Sequence, residues 1–360
     1  MRVSDKRAFR VIVIGAGQAG LAIGRHLVEA GVDLLVLDAA SRIGEAWRRR
    51  WDSLRLFTAA EFAGLPGFPF PGDPNALPTK DETADYLEEY ARRFQVPVRL
   101  GTRVDALDRN GDRYVLTAGD SRFEAEQVVI ATGPYQTALV PGWAADLDTR
   151  IAQIHSREYR NPSQLPAGDV LVVGAGNTGA ELALEAARAG HRVWLSGRDV
   201  GQVPSFLRIS NARLFWFLAT RVLTVSTRIG RKLRAAMRAH HSGPLVRIRS
   251  KEILAAGIQR VKRVAGCDAG RPVLEDGRVV DVASVLWCSG FGIDFSWVRL
   301  PIFAPDGYPM HDQGRVPSEP GLYFVGLPFQ RSLASTTLVG VGRDAALVAG
   351  WILEALRRSL

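Results

Sequence analysis

The stretch VIVIGAGQAGLAIG, from Val11 to Gly24, decides the fold. It begins with a β-branched apolar run, the pattern of a strand buried on both faces. Gly15, Gly17 and Gly20 follow at the spacing of a tight turn that opens a helix. That helix reads through AGLAIGRHLVEAG to Gly31, a residue suited to a left-handed C-terminal cap. VDLLVLD supplies a second strand with Asp38 at its tip, which completes a strand–helix–strand unit.

Near the middle of the chain, VLVVGAGNTGAELA, from Val170 to Ala183, repeats the plan at an offset of about 160 residues. Its glycines are Gly174, Gly176 and Gly179, and HRVWLSGR forms its second strand. Between the two units, Ser41 to Lys80 is rich in glycine, proline and aromatics and has little periodicity, as functional loops inside compact domains do. DETADYLEEYARRF predicts an amphipathic helix. VRLGTRVDAL, RYVLTAG and SRFEAEQVVIATG predict strands, with a turn at Asn110-Gly111. IQRVKRV, RPVLEDGRVV and DVASVLWCSG echo them in the second half. GLYFVGLPF and GVGRDAALVAGWILEAL predict a last strand and helix that must rejoin one of the units.

The expected fold is therefore α/β with two Rossmann-type dinucleotide-binding domains, the second inserted into the first. The boundaries are expected at residues 1–150 plus 291–360 for the first domain and 151–290 for the second. A chain of 360 residues has room for two such cores.

The glycines carry the chemistry. Gly15 and Gly174 permit the bend, Gly17 and Gly176 let a pyrophosphate approach the backbone, and Gly20 and Gly179 let helix pack on strand, with Gly24 extending that small-residue face. The free N–H groups and dipole at each helix start favour an anion. The strand tips separate the two sites. Asp38 can accept both hydroxyls of an adenosine ribose, as FAD or NAD requires. Ser196 and Arg198 stand where the second acid would be, and arginine can pair with a 2′-phosphate, which favours NADPH. Two dinucleotides in one chain imply electron transfer between them, most simply from NADPH to a held FAD.

Composition narrows the remaining classes. Only two cysteines occur, Cys267 and Cys288, without a CxxC, which argues against a disulfide scaffold, structural zinc or a dithiol acceptor and fits a reducing cytoplasm. His240 and His241 lack ligand-like spacing, so no metal is expected. The basic, then apolar N-terminus imitates a secretory leader but runs straight into the glycine turn. No run approaches the roughly eighteen apolar residues of a membrane span. Much of the +9 formal charge lies between Arg228 and Arg263. It lacks a nucleic-acid recognition motif, and a solvated basic face or a field that draws an anionic cofactor is preferred. In NARLFWFLATRVLTV, the run Phe215, Trp216, Phe217 is open to three readings: helical core, a substrate channel, or a peripheral membrane contact.

The ordered segments VIVIGAGQAG, GEAWRRRWDSLRLFT, LPGFPFP, VVIATGPY, QIHSREYRNP, LVVGAGNTG and DVASVLWCSGFGIDFSW resemble flavin-containing monooxygenases. The similarity covers nearly the whole chain and is strongest to the bacterial single-chain branch related to plant indole-3-pyruvate monooxygenases. It implies that NADPH reduces FAD, that oxygen adds at flavin C4a, and that one oxygen atom passes to a small organic nitrogen, sulfur or carbonyl substrate. By the same resemblance, Gly15, Gly17, Gly20 and Asp38 serve FAD, Trp47, Leu54 and Arg55 lie along its ribityl and ring portion, and Thr132 and Gly133 sit where the chain passes between the domains. Gln18, Ala19, Ala39, Val104 and Ala131 are further cofactor-binding residues. Gly174, Gly176, Asn177, Thr178, Gly179, Ser196 and Arg198 belong to NADPH, and Ser289, Gly290 and Asp344 complete the cofactor set. His155 and Thr58 are the candidates for a catalytic role, with His155 equally readable as a packing residue. Molecular oxygen and the organic substrate are the expected partners, and a homodimer is admitted. The chain departs from the family at Thr149 and Ile151, where an aromatic and a glycine are usual, and at Phe57, where many members have asparagine. Those departures leave an NADPH-dependent reductase or oxidase, or a redox-sensing flavoprotein, as alternatives.

Overall fold

A computed structural model describes residues 7–203, 212–240 and 243–358. His241 lies outside them, as does the side chain of His240, and so do residues 1–6 of the leader-like stretch.

The first glycine turn joins β1 (Ala8–Ile14) to α1 (Gln18–Glu29), and β2 (Leu34–Leu37) follows. Gly31 is left-handed at φ +68° and donates its N–H to the Val28 carbonyl, the cap expected there. The loop after β2 contains a single helical turn, α2 (Glu45–Arg48), and leads to α3 (Lys80–Arg93). A short β3 (Val98–Arg99) precedes the meander β4 (Ala106–Asn110), β5 (Arg113–Ala118) and β6 (Ser121–Ile130). The parallel strands run in the order β3-β2-β1-β6. On the outer side of β6, its first half pairs antiparallel with β5. Its last residues, Val128–Ile130, pair in parallel with β16 (Leu322–Phe324), close to the chain's end.

Alternate residues of β1 enter opposite cores. Val11 and Val13 pack with α1, α3 and the last helix, Leu338–Arg358, while Ile12 and Ile14 pack with the meander and residues 295–327. Burial on both faces explains why this strand reads as a continuous apolar run rather than an alternating one.

The second unit follows the same logic. It runs from β8 (Ala152–His155) and β9 (Val170–Val173) through α4 (Asn177–Arg188) to β10 (Val193–Ser196). β11 (Gln259–Val261) and β14 (Ser284–Trp287) complete an all-parallel sheet in the order β11-β10-β9-β14-β8. Val170 and Val172 face one core and Leu171 the other. The repeat is incomplete in one respect. β12 (Val264–Asp268) and β13 (Arg271–Leu274) form a separate two-stranded ribbon instead of extending this sheet.

Two features join the units. β7 (Thr137–Ala138) and β15 (Phe291–Gly292) run antiparallel, side by side, where the chain leaves the first sheet and where it leaves the second. The loop after β2 provides the other joint. Trp51 and Leu54 are buried in the core of the second sheet, and Trp47 touches the cores of both. Fully burying two such side chains contributes about 1.5–3 kcal/mol each, enough to hold an irregular loop in one place.

Candidate functional site

The glycines of the first turn divide by what surrounds them. A Cβ on Gly15 (φ +106°) would lie 2.6 Å from the Ala131 carbonyl oxygen, and one on Gly20 would lie 1.7 Å from the Gly15 oxygen. Both are demanded by the protein itself. Gly17 has an ordinary φ of −76°, and nothing lies within 4 Å of the position its Cβ would take. The second turn repeats each value closely. Gly174 (φ +112°) would meet the Cys288 oxygen at 2.2 Å, Gly179 would meet the Gly174 oxygen at 1.7 Å, and Gly176 again faces open space. Backbone packing therefore explains the first and third glycine of each set. The middle one is left for a ligand that needs the bare backbone.

The helix starts point the same way. Neither α1 nor α4 has a side-chain N-cap or an acidic residue in its first turn. α3, by contrast, carries a complete capping box, in which Thr79 accepts from the Glu82 N–H and Glu82 accepts from the Thr79 N–H. A cap of this kind is worth about 1 kcal/mol. Two helices of twelve residues without one keep their first N–H groups and positive dipole ends for an anion.

At the first strand tip, Asp38 accepts the Ala16 N–H at 2.5 Å and the Ala40 N–H at 2.7 Å, so it braces the glycine turn, with Ala39 exposed beside it. Gln18 donates to the Thr336 carbonyl at 2.7 Å, tying the turn to the start of the last helix, and Ala19 is buried beneath Gly326. At the second tip no carboxylate fills this place. The Ser196 hydroxyl is buried and donates to the Lys262 carbonyl at 2.9 Å, so it is committed to β11. Arg198 is exposed, and its carbonyl accepts from Arg260 at 3.4 Å. Asp199 accepts the Gly201 N–H, which occupies it in a local turn. Arg260 and Lys262 were not singled out from sequence, because only the parallel pairing of β10 with β11 brings them to this tip.

The Asn177 side chain is also committed. It donates to the Pro244 carbonyl at 3.1 Å and accepts the Val246 N–H at 2.8 Å, which fixes its orientation at the helix start. Thr178 is half-buried in the same helical turn.

Between the two turns, the Ala131 N–H donates to the Ile14 carbonyl. Gln136 donates to both Thr132 Oγ1 and the Gly133 carbonyl. No local pattern marked Gln136, yet it fixes the ATG segment and also accepts the Asp294 N–H. The Ser289 hydroxyl donates to the Leu139 carbonyl, and the Gly290 carbonyl accepts from Leu139. His155 Nδ1 accepts the Arg157 N–H and Nε2 lies 3.1 Å from the Gly290 carbonyl. Both ring nitrogens are thus engaged, and burial holds the imidazole below its usual pKa. The arrangement makes His155 a neutral fastener of the crossing ribbon. Arg50 packs over the rings of Phe291 and Tyr135 beside it.

Leu54 and Thr58 are buried, Val104 is in the core under the first sheet, and Arg55 is exposed with its guanidinium on the Leu77 carbonyl. Phe57 is 46% exposed and stacks on Trp216 at 6.3 Å. The aromatic run thus splits, with Trp216 buried at 8% and Phe217 exposed at 56%. Asp344 is 1% exposed, and its Oδ2 has no hydrogen-bond partner among the described residues. Burial pushes its carboxyl up to about 6, against the pull of Ser335 and of the Arg331 and Arg343 charges. Cys267 and Cys288 are both free and pack in different cores, and burial raises the Cys288 thiol.

Comparison with known proteins agrees with this architecture. The family profile described as pyridine nucleotide-disulphide oxidoreductase matches residues 12–208. An uncharacterized CzcO-like oxidoreductase of Geobacillus kaustophilus is 38% identical over 351 residues, covering 96% of this chain and 98% of that one. The indole-3-pyruvate monooxygenase YUCCA6 of Arabidopsis thaliana is 32% identical over 201 residues, 53% of this chain and 48% of that one. Among solved structures, the flavin-containing monooxygenase of Stenotrophomonas maltophilia superposes with a TM-score of 0.77 at 25% identity, covering 97% and 99% of the two chains.

Proposed function

Because this chain belongs to the pyridine nucleotide-disulphide oxidoreductase family, we propose that it is an FAD-dependent, NADPH-oxidising monooxygenase that places one oxygen atom on a small organic substrate. The observation that carries the reading is the pair of uncapped helix starts, each behind a glycine whose Cβ would have no described atom within 4 Å. Both cradles fit a pyrophosphate. The likeness to flavin monooxygenases supports the choice of reaction.

Bound FAD supplies the redox chemistry, taking a hydride from NADPH and activating oxygen. The residues of this chain bind and orient. Asp38, already held by two N–H groups, presents a fixed carboxylate to the adenosine ribose of FAD. The Oδ2 of Asp344, without a partner among the described residues, would suit a hydroxyl donor from the ribityl chain, and Gln136 holds Thr132 and Gly133 in place where the flavin would bind. At the second site, Arg198 takes the 2′-phosphate of NADPH, with Arg260 and Lys262 adding positive charge at the same strand tip. Ser196 acts through β11 and not on the phosphate. On this reading, residues 1–150 and 291–360 form the FAD domain and 151–290 the NADPH domain. The ribbon of β7 and β15 supports that division.

A second reading, an NADPH-dependent oxidase that inserts no oxygen, draws on Phe57. An apolar ring stacked on Trp216 offers no hydrogen bond where many flavin monooxygenases have an amide. One experiment separates the two. The FAD-loaded protein is reduced with NADPH and mixed with isotope-labelled oxygen in the presence of methyl phenyl sulfide, N,N-dimethylaniline or indole-3-pyruvate. Label in an organic product is expected. Quantitative recovery of the oxygen as hydrogen peroxide with all three probes would overturn monooxygenation and leave the oxidase.

A further inference from the structure

Between β10 and β11 the chain makes an excursion whose described part contains α5 (Ala212–Phe217), one π-helical turn (Leu218–Val222) and α6 (Arg228–His240). The excursion leaves and returns at the second sheet, where Val203 and Leu245 are joined by a backbone hydrogen bond and Leu245 is also bonded to Gly201. Its body lies on the first unit. Leu223 and Val225 exchange backbone hydrogen bonds with Leu333 and Arg331, Trp216 and Ala219 bury against Ala334, and Arg213 pairs with Glu61. The arm is thereby fixed in place.

Its outward face is distinctive in charge. Residues 212–240 carry seven arginine or lysine residues and no acid, within a chain whose net charge is +9. On α6 the exposed residues Arg228, Ile229, Arg231, Lys232 and Arg238 share one side, while Gly230, Leu233 and Met237 face inward. Gly230 is so close to the arm's own turn that a Cβ would lie 1.9 Å from the Thr224 oxygen. Arg213 and Arg238 pair with Glu61 and Asp306; Arg221, Arg228, Arg231 and Lys232 form no ion pair with a described residue. In the same stretch of chain, Leu214 and Phe217 of α5 and Ile229 of α6 are 46%, 56% and 64% exposed. Where the arm meets the last helix, Arg221 and Arg331 stand near Arg343, and burial together with their like charge lowers its pKa. Arg231 also donates to the Val225 and Ser226 carbonyls, but core packing, which explains Trp216, does not explain a surface that combines cations lacking a described acidic partner with large apolar side chains.

We infer that this arm docks the protein on an anionic phospholipid bilayer, the cations meeting lipid phosphates and Leu214, Phe217 and Ile229 entering the headgroup boundary. Charge complementarity selects the partner, and the interleaved apolar side chains favour a lipid surface over nucleic acid. The inference is independent of the reaction proposed above.

Co-sedimentation of the full-length protein with vesicles tests it. Binding is expected to phosphatidylcholine vesicles containing phosphatidylglycerol, little to phosphatidylcholine alone, and loss as salt rises. Replacing Arg228, Arg231 and Lys232 together by glutamine should weaken binding ~100-fold, about fivefold per cation. Phe217→Ser keeps every charge and should weaken it about tenfold. Far-UV circular dichroism and the melting temperature report that each variant is folded. Equal partition onto both vesicle types, or binding unchanged in the triple variant, overturns the inference. So does retention of duplex DNA without vesicle binding, which would assign the face to nucleic acid.

Discussion

The two glycine turns are nearly superimposable in their steric demands and opposite in what stands at their strand tips. In both, the first glycine is pressed against a carbonyl of the neighbouring strand and the third against the first, at the same 1.7 Å. At the first tip a carboxylate is drawn inward and holds the turn by two N–H groups. At the second, the hydroxyl is turned into the sheet, and exposed arginine marks the edge. The two backbone motifs impose the same steric demands, so on the proposed reading it is the tips that distinguish the nucleotides. The braces differ as well. The first turn is tied to the last helix through Gln18, whereas Asn177 ties the second to residues 244–246, where the basic arm returns.

The sharpest way to break the comparison lies within one turn. Gly20→Ala forces a Cβ into the Gly15 carbonyl and should cost more than about 4 kcal/mol or abolish folding. Gly17→Ala meets open space and should change the melting of the cofactor-free protein little while removing FAD retention. Calorimetry and flavin absorbance distinguish the two. If Gly17→Ala keeps FAD, the middle glycine has no ligand to accommodate.

A smaller effect is expected at Asp344. Its folded pKa, about 6, is raised from the ordinary 3.8, so the folded state favours the neutral acid. The stability held by that neutral form is complete below the unfolded value and is lost as pH rises from about 4 through 6. Asp344→Asn, neutral at every pH, should therefore gain stability over the parent across that window, by about 2–3 kcal/mol at pH 7 without cofactor. Denaturant titration at pH 4 and pH 7 checks this, and an equal difference at both would refute it. FAD affinity should fall in the same variant if its ribityl chain uses the orphaned oxygen.

The smallest effect tests the second tip. Arg198→Ala should raise the KM for NADPH about tenfold and leave that for NADH nearly unchanged, the loss of one charge-assisted contact. Steady-state kinetics with both nucleotides decides it, and equal changes would remove Arg198 from the phosphate.

What was legible in the sequence was local. Strand burial on two faces, the turn glycines, the cap at Gly31 and the acid at Asp38 are all set by neighbours within a few residues, through backbone sterics and hydrophobic period. The capping box at Thr79 and Glu82 is equally local, its partners being three residues apart, although it was not singled out from sequence. Tertiary structure decided where committed side chains look. It turned Ser196 toward Lys262, closed Asn177 on Pro244 and Val246, and put Trp51 and Leu54 into the core of the other unit. It also separated Trp216 from Phe217, burying one and exposing the next. These contacts join residues tens to hundreds of positions apart. No periodicity encodes such a pairing, because it exists only once two packed surfaces meet. The sequence thus determined two glycine turns and the acid at one tip, and the meeting of β10 with β11 decided that Ser196 is committed to Lys262 and that Arg260 and Lys262 stand beside Arg198.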